Sequence, residues 1–115
     1  MAATQIFDAV AVQTTLTAAK TAAAERTAAF LKQHGDRDAC GFAWVTVYSV
    51  RSNSKLGKAL VEVGFRKAYD GGLQLWNPSG NYTQAITAKE VGAEAYATIL
   101  REKLGVNAQA GSRMD

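Results

Sequence analysis

The chain has one cysteine and one proline among its 115 residues. A lone thiol, Cys40, cannot close an intrachain disulfide, which fits a reducing compartment. The first residues, Met1-Ala-Ala-Thr-Gln-Ile-Phe-Asp8, lack the cationic start and apolar core of a secretory signal. No stretch approaches the ~20 apolar residues of a membrane span. A cytoplasmic location and no membrane partner are the expectations. Also missing are a Walker A loop, because no Ser or Thr follows Gly57-Lys58 and the glycine spacing is wrong, and any recognised zinc or calcium spacing. No cofactor and no metal are expected.

What is there is unevenly placed. Between Cys40 and Gln84, Arg51, Lys55, Lys58, Arg66 and Lys67 face only Glu62 and Asp70, so this segment holds the whole net charge of +3. The flanks cancel. Seven of the ten aromatic residues (Phe42, Trp44, Tyr48, Phe65, Tyr69, Trp76, Tyr82) lie there too, which makes it the segment to search for a binding surface. The excess is mild, so it permits an anionic partner without requiring one.

Length and composition fit one folded domain over residues 1–115. Gln5 to Gln33 has no Pro or Gly, is rich in Ala and precedes Gly35, which predicts one long helix, the 1–34 element. Ala9, Val12, Leu16, Ala19, Ala23 and Phe30 form a seam of small residues with Arg26 as its interruption. At 1.5 Å per residue, ~28 residues span ~42 Å, long against the ~13 Å radius of gyration of such a domain. Three outcomes follow from that overhang: a break near Thr14-Thr15, fraying of the first dozen residues, or packing of the seam on a second subunit, which makes a homo-oligomer.

Cys40 to Val50 is rich in β-branched and aromatic residues and predicts a strand. Phe42, Trp44, Thr46, Tyr48 and Val50 share one bulky face, Ala43, Val45, Val47 and Ser49 a small one, and neither is charged. That pattern predicts a central strand covered on both sides. Lys55 to Val63 predicts a short helix with a Ser or Asn cap and Gly64 as its stop. Phe65–Tyr69 and Leu73–Trp76 predict a hairpin joined at Asp70-Gly71-Gly72. Thr87 and Glu90 match a capping box before a helix from Ala88 to Leu104, with a stripe of Val91, Ala95, Tyr96, Ile99, Leu100 and Leu104. The last ten residues alternate weakly, as a fourth strand or a free end. The expected class is α+β: a small, mostly antiparallel sheet of about four strands with a hairpin, a long N-terminal helix, a short basic helix and a C-terminal amphipathic helix.

The segments His34-Gly-Asp-Arg-Asp-Ala-Cys-Gly-Phe-Ala-Trp-Val45, Asn53-Ser-Lys-Leu-Gly-Lys58, Gly72-Leu-Gln-Leu-Trp-Asn-Pro-Ser79 and Gly111-Ser-Arg-Met-Asp115 resemble a group of small tailed-bacteriophage proteins. The resemblance spans Phe30 to Asp115 and brings no activity or site to carry over. It implies a protein acting in a bacterial host cytoplasm, with tasks such as blocking a host enzyme or sequestering a defence signal.

Arg51-Ser52-Asn53-Ser54-Lys55 with Lys58 is the candidate anion site. A helix start offers unpaired N–H groups, and hydroxyls and cations around it complete a phosphate cradle. Tyr48 and Trp76 would stack on a base, and the Asn77 amide would pair with its edge. The competing reading is a capped surface helix with solvated lysines and core rings. Cys40 reads as a small buried hydrophobe and His34 as a helix end, so neither they nor Asp36, Asp38 or the α-helical glutamates make a catalytic set. The expected function is a non-catalytic binder of an anionic small molecule, a nucleotide or nucleotide-derived signal. The alternative is a protein or nucleic-acid interaction module using the basic hairpin of Arg66, Lys67 and Tyr69.

Overall fold

The computed structural model describes residues 8–35, 39–69 and 71–115. Asp36, Asp38 and Asp70, and the expected helix residues from Gln5 to Phe7, lie outside them. The elements run α1 (Ala9–His34), β1 (Gly41–Tyr48), α2 (Lys55–Glu62), β2 (Arg66–Lys67), β3 (Leu73–Trp76), α3 (Ile86–Leu104) and β4 (Asn107–Met114). From β1 onward the order is β-α-β-β-α-β, and the strands lie β2-β3-β1-β4, each pair antiparallel. This is the split βαβ arrangement with a helix added in front.

The α+β class, the long first helix, the hairpin and the fourth strand are as the sequence predicts. β4 pairs with all of β1, from Gly41 opposite Met114 to Tyr48 opposite Asn107. The hairpin is narrower than expected, because β2 holds only Arg66 and Lys67.

Helix α1 begins at Asp8, whose carboxylate accepts from the Val10 amide, and runs unbroken to Gly35. No break occurs at Thr14-Thr15: the Thr15 hydroxyl donates to the Ala11 carbonyl one turn back, which accommodates the β-branched pair inside the helix. At ~39 Å it lies along a molecule whose longest extent is 45 Å. Its buried residues are Val12, Leu16, Ala19, Ala23 and Thr27. The step from Ala23 goes to Thr27 and not to Arg26, because a straight helix of 3.6 residues per turn drifts off a 3.5-residue seam. That seam is filled by α3 of the same chain. Thr27 donates to the Ala88 carbonyl at 2.7 Å, and a side chain on Gly92 would strike its hydroxyl, so the two helices touch backbone to backbone there.

Helix α3 lies between α1 and the sheet and therefore buries two stripes, adding Ala88, Gly92, Ala93 and Ala97 to the expected Tyr96, Leu100 and Leu104. Burial pushes the Tyr96 phenol well above its ordinary pKa. The capping box is not used. The helix starts at Ile86 with Ala85 as its cap residue and no side-chain cap; the Ile86 amide donates to the Ala39 carbonyl, and Glu90 accepts from Ser112 on β4. A strand-like bridge between Cys40 and Ala85 brings the chain to that point, which supplies the acceptor a capping side chain would otherwise provide.

The core joins Ala43, Val45, Val47, Leu73 and Ala108 of the sheet to Leu56, Leu60, Phe65, Tyr96 and Leu100. All three helices thus lie on the Ala43–Val45–Val47 side. The expected cover on both faces of β1 is overturned: among the described residues no helix packs on the Phe42–Trp44–Tyr48 side. The short α2 and the single α3 suffice for one face only. Cys40 is exposed and not buried, since it precedes the strand at the sheet's rim.

Candidate functional site

Side chains that pair directly across an antiparallel sheet share a face. Opposite Phe42, Trp44, Thr46 and Tyr48 stand Arg113, Gly111, Gln109 and Asn107 of β4, while Trp76 and Gln74 of β3 face Trp44 and Thr46. At these positions of β1, β3 and β4 the uncovered face carries four rings, three side-chain amides, one guanidinium and no carboxylate, and the edge strand β2 adds Arg66 opposite Gln74. Trp76 is 48% exposed and Phe42 37%.

Three of the rings form one platform. The Trp44 and Trp76 ring centroids are 4.8 Å apart and tilted by 34°, and Phe42 meets Trp76 edge-on at 5.9 Å. The platform is held in place from below and from the side. A Cβ on Gly111 would lie 2.5 Å from the Trp44 indole nitrogen, so the missing side chain is what lets that indole lie down over β4. The Trp76 indole N–H donates to Gln74 at 2.6 Å, and the Gln74 amide donates to the Thr46 hydroxyl at 3.2 Å. Two cations flank the outer ring: Lys89 Nζ lies 5.6 Å and the Arg113 guanidinium 6.0 Å from the Phe42 centroid. Lys89 also donates to the Gly41 carbonyl, which ties it to the end of β1.

The residues expected to make one anion site are divided among different places. Ser54 caps α2 as foreseen, accepting from the Gly57 amide at 3.0 Å and donating to the Arg51 carbonyl at 2.7 Å. The same loop closes over the helix start: a Cβ on Gly57 would stand only 1.9 Å from the Arg51 carbonyl oxygen. The loop backbone thus packs against one side of the first turn. Lys55 and Lys58 line a cleft against the start of α1 with Asp8, Gln13 and Glu62, where acids stand among the cations. Asn77 takes a left-handed conformation (φ 51°) and spends its amide on the Asn81 carbonyl, so it closes the 77–81 loop in place of reading a base.

Arg51, Ser52 and Asn53 do come together, with a partner not foreseen for them. They line a cleft of about 630 Å³ with Ser49, Lys67 and the hairpin glycines Gly71 and Gly72. Tyr48 stands at its edge: a Cβ on Gly72 would be 3.3 Å from the Tyr48 ring and 2.6 Å from the Thr46 methyl. The cleft and the open face therefore meet at Gly72. Arg66, the centre of the alternative hairpin patch, instead donates to the Val61 and Phe65 carbonyls and closes the C-terminal end of α2.

Phe42, Trp44, Arg113 and Lys89 were missed as site residues. The signal for the first two was in plain sight, a strand with one bulky face, but a bulky face reads equally as core until the layer above it is known. Among the described residues no three His, Cys, Asp or Glu side chains gather to hold a metal ion, and no helix is long and apolar enough to cross a membrane. Comparison with protein families, with curated proteins and with solved structures finds no match.

Proposed function

We propose that the protein is a non-catalytic binding module that takes the bases of a single-stranded nucleic acid or nucleotide on its open sheet face. The observation that carries this reading is the platform of Phe42, Trp44 and Trp76, preorganised on an uncovered face and bordered by Lys89 and Arg113. Rings set on an open four-stranded sheet hold unpaired bases by stacking, while the surrounding amides meet base edges and the cations meet phosphates. A base pair inside a duplex presents no such face. The absence of carboxylates from the open-face strand positions removes the repulsion an anionic strand would otherwise meet.

This keeps the nucleotide chemistry expected from the sequence and moves it from the start of α2 to the sheet. Both tryptophans of the chain lie in the platform, so intrinsic fluorescence reports directly on it. Titration with a single-stranded oligonucleotide is expected to quench that fluorescence, and a duplex of the same sequence is expected to leave it unchanged. Base–ring stacking amounts to about 1–3 kcal/mol per base, so Phe42→Ala and Trp76→Ala should each weaken binding roughly 5- to 150-fold. No quenching by any single strand or mononucleotide overturns the reading. A self-associating protein whose dimer is broken by Trp76→Ala would assign the face to a second copy.

A further inference from the structure

We infer that the ligand is a strand several nucleotides long that runs along β1, its bases on the ring platform and its backbone phosphates in the cleft beyond Tyr48. This rests on the platform being the base-binding surface, and adds a second, separate subsite to it. Three observations carry it. The cleft receives Arg51 from the β1–α2 loop and Lys67 from β2, which stands opposite Leu73 on the covered side of the sheet, so two cations from separate parts of the chain meet at the sheet's end. Ser52 and Asn53 add donors beside them, and among its described lining residues there is no carboxylate. Gly72 belongs to the cleft wall, and a Cβ on it would stand 2.6 Å from the Thr46 methyl and 3.3 Å from the Tyr48 ring, so one residue borders both the cleft and the open face.

Charge and length then select the occupant. Among its described lining residues the cleft has two cations, three polar side chains and no ring, which suits a phosphodiester better than a base. From Phe42 to Tyr48 is six strand steps, ~20 Å at about 3.3 Å each. At ~3.4 Å per phosphate for a stacked strand, that distance is about six nucleotides, and fewer when the strand is extended. A mononucleotide cannot occupy both ends. The sheet's open face and the cleft together therefore call for an oligonucleotide, whereas the platform alone would accept a single base.

The test uses oligo(dT) and oligo(rU) of two, four, eight and twelve nucleotides, read by quenching of the two tryptophans in the full chain at several salt concentrations. Affinity is expected to rise with length and to level off once the strand spans both subsites. The double variant Arg51→Ala/Lys67→Ala is expected to bind the dinucleotide as the parent does and the octamer more weakly. Its slope of log affinity against log salt should fall by about 1.4, since each neutralised phosphate of a single strand contributes about 0.7. Circular dichroism and thermal unfolding of the same variant check that the fold is kept. If Trp76→Ala weakens every length and the double variant changes nothing, the cleft is not a subsite and this inference falls while the platform reading stands. Equal affinity for all lengths overturns it too. If neither set of variants has an effect, both readings fall together.

Discussion

The two faces of this sheet are made from alternate residues of the same strands, yet they have opposite fates. On one side Ala43, Val45 and Val47 are small, fully buried and pressed against α3. On the other, Phe42, Trp44 and Tyr48 are large and remain at least partly exposed. Bulk and burial run against each other here. Small residues let α3 come close to β1, and α3 in turn is held by α1 through Gly92, Ala23 and Thr27, where a single added methyl would clash. The helical side is thus a stack of close backbone contacts whose buried rings, Phe65 and Tyr96, come from outside the strands. The rings of β1 and β3 are left for the other side, where they form a surface and not a core. A domain that needed those rings for stability would have turned them inward, since aromatic residues are the largest source of buried apolar area.

The largest effect expected from this difference comes from placing a carboxylate on either face. Val45 is fully buried at the centre of the sheet, and Val45→Asp would bury a charge that lacks a partner, at a cost above about 4 kcal/mol, enough to unfold a domain of ordinary stability. Should that variant not be recovered folded, Val45→Ala supplies the measurement, with an expected loss of about 2–3 kcal/mol in urea unfolding. Gln109→Asp, on the exposed side of β4, should alter stability by no more than about 0.5 kcal/mol. It should still weaken oligonucleotide binding, because it puts the first carboxylate among these open-face positions. If Gln109→Asp destabilised the protein as Val45→Asp does, the open face would be core and the binding reading would lose its surface.

Much of the fold is legible in the sequence because the signals are local. Ser54 as a cap, Gly35 and Gly105 as helix stops and the glycines of the hairpin each mark an end that depends on a few neighbouring residues. What could not be read locally is which element lies over which face. The bulky and small sides of β1 were visible from alternation alone, but coverage depends on the strand order β2-β3-β1-β4 and on all helices falling to one side. The same limit divided the expected anion site. Arg51 to Lys58 is continuous in sequence, but a helix turns its residues through a full circle every 3.6 positions, and the loop before α2 folds back across its first turn. Lys55 and Lys58 therefore leave in a direction different from Arg51. The Lys67 side of the cleft enters only through the hairpin, a contact between segments that local spacing does not encode.

A finer comparison uses two glycines of neighbouring strands, one on each side. Gly41 on β1 faces the helices: its Cβ would lie 2.4 Å from Ile86 Cδ1 and 2.7 Å from the Arg113 carbonyl oxygen. The backbone atom cannot yield, and Ile86 is itself almost fully buried. Gly41→Ala should therefore cost about 1–3 kcal/mol as an overpacked site. Gly111 on β4 faces the rings, and the nearest atoms its Cβ would meet are Nε1, Cε2 and Cζ2 of the Trp44 indole, a side chain and not backbone. That ring can swing toward solvent, so Gly111→Ala should cost less than about 1 kcal/mol by the same overpacking argument relieved of its constraint. The displaced indole should shift tryptophan emission to the red and weaken oligonucleotide binding, since a ring lifted off β4 no longer lies level with Trp76. Equal losses of stability at the two positions would mean that Trp44 is as firmly enclosed as Ile86. The platform would then be sealed against a base, and the difference between the two faces would be one of residue size alone.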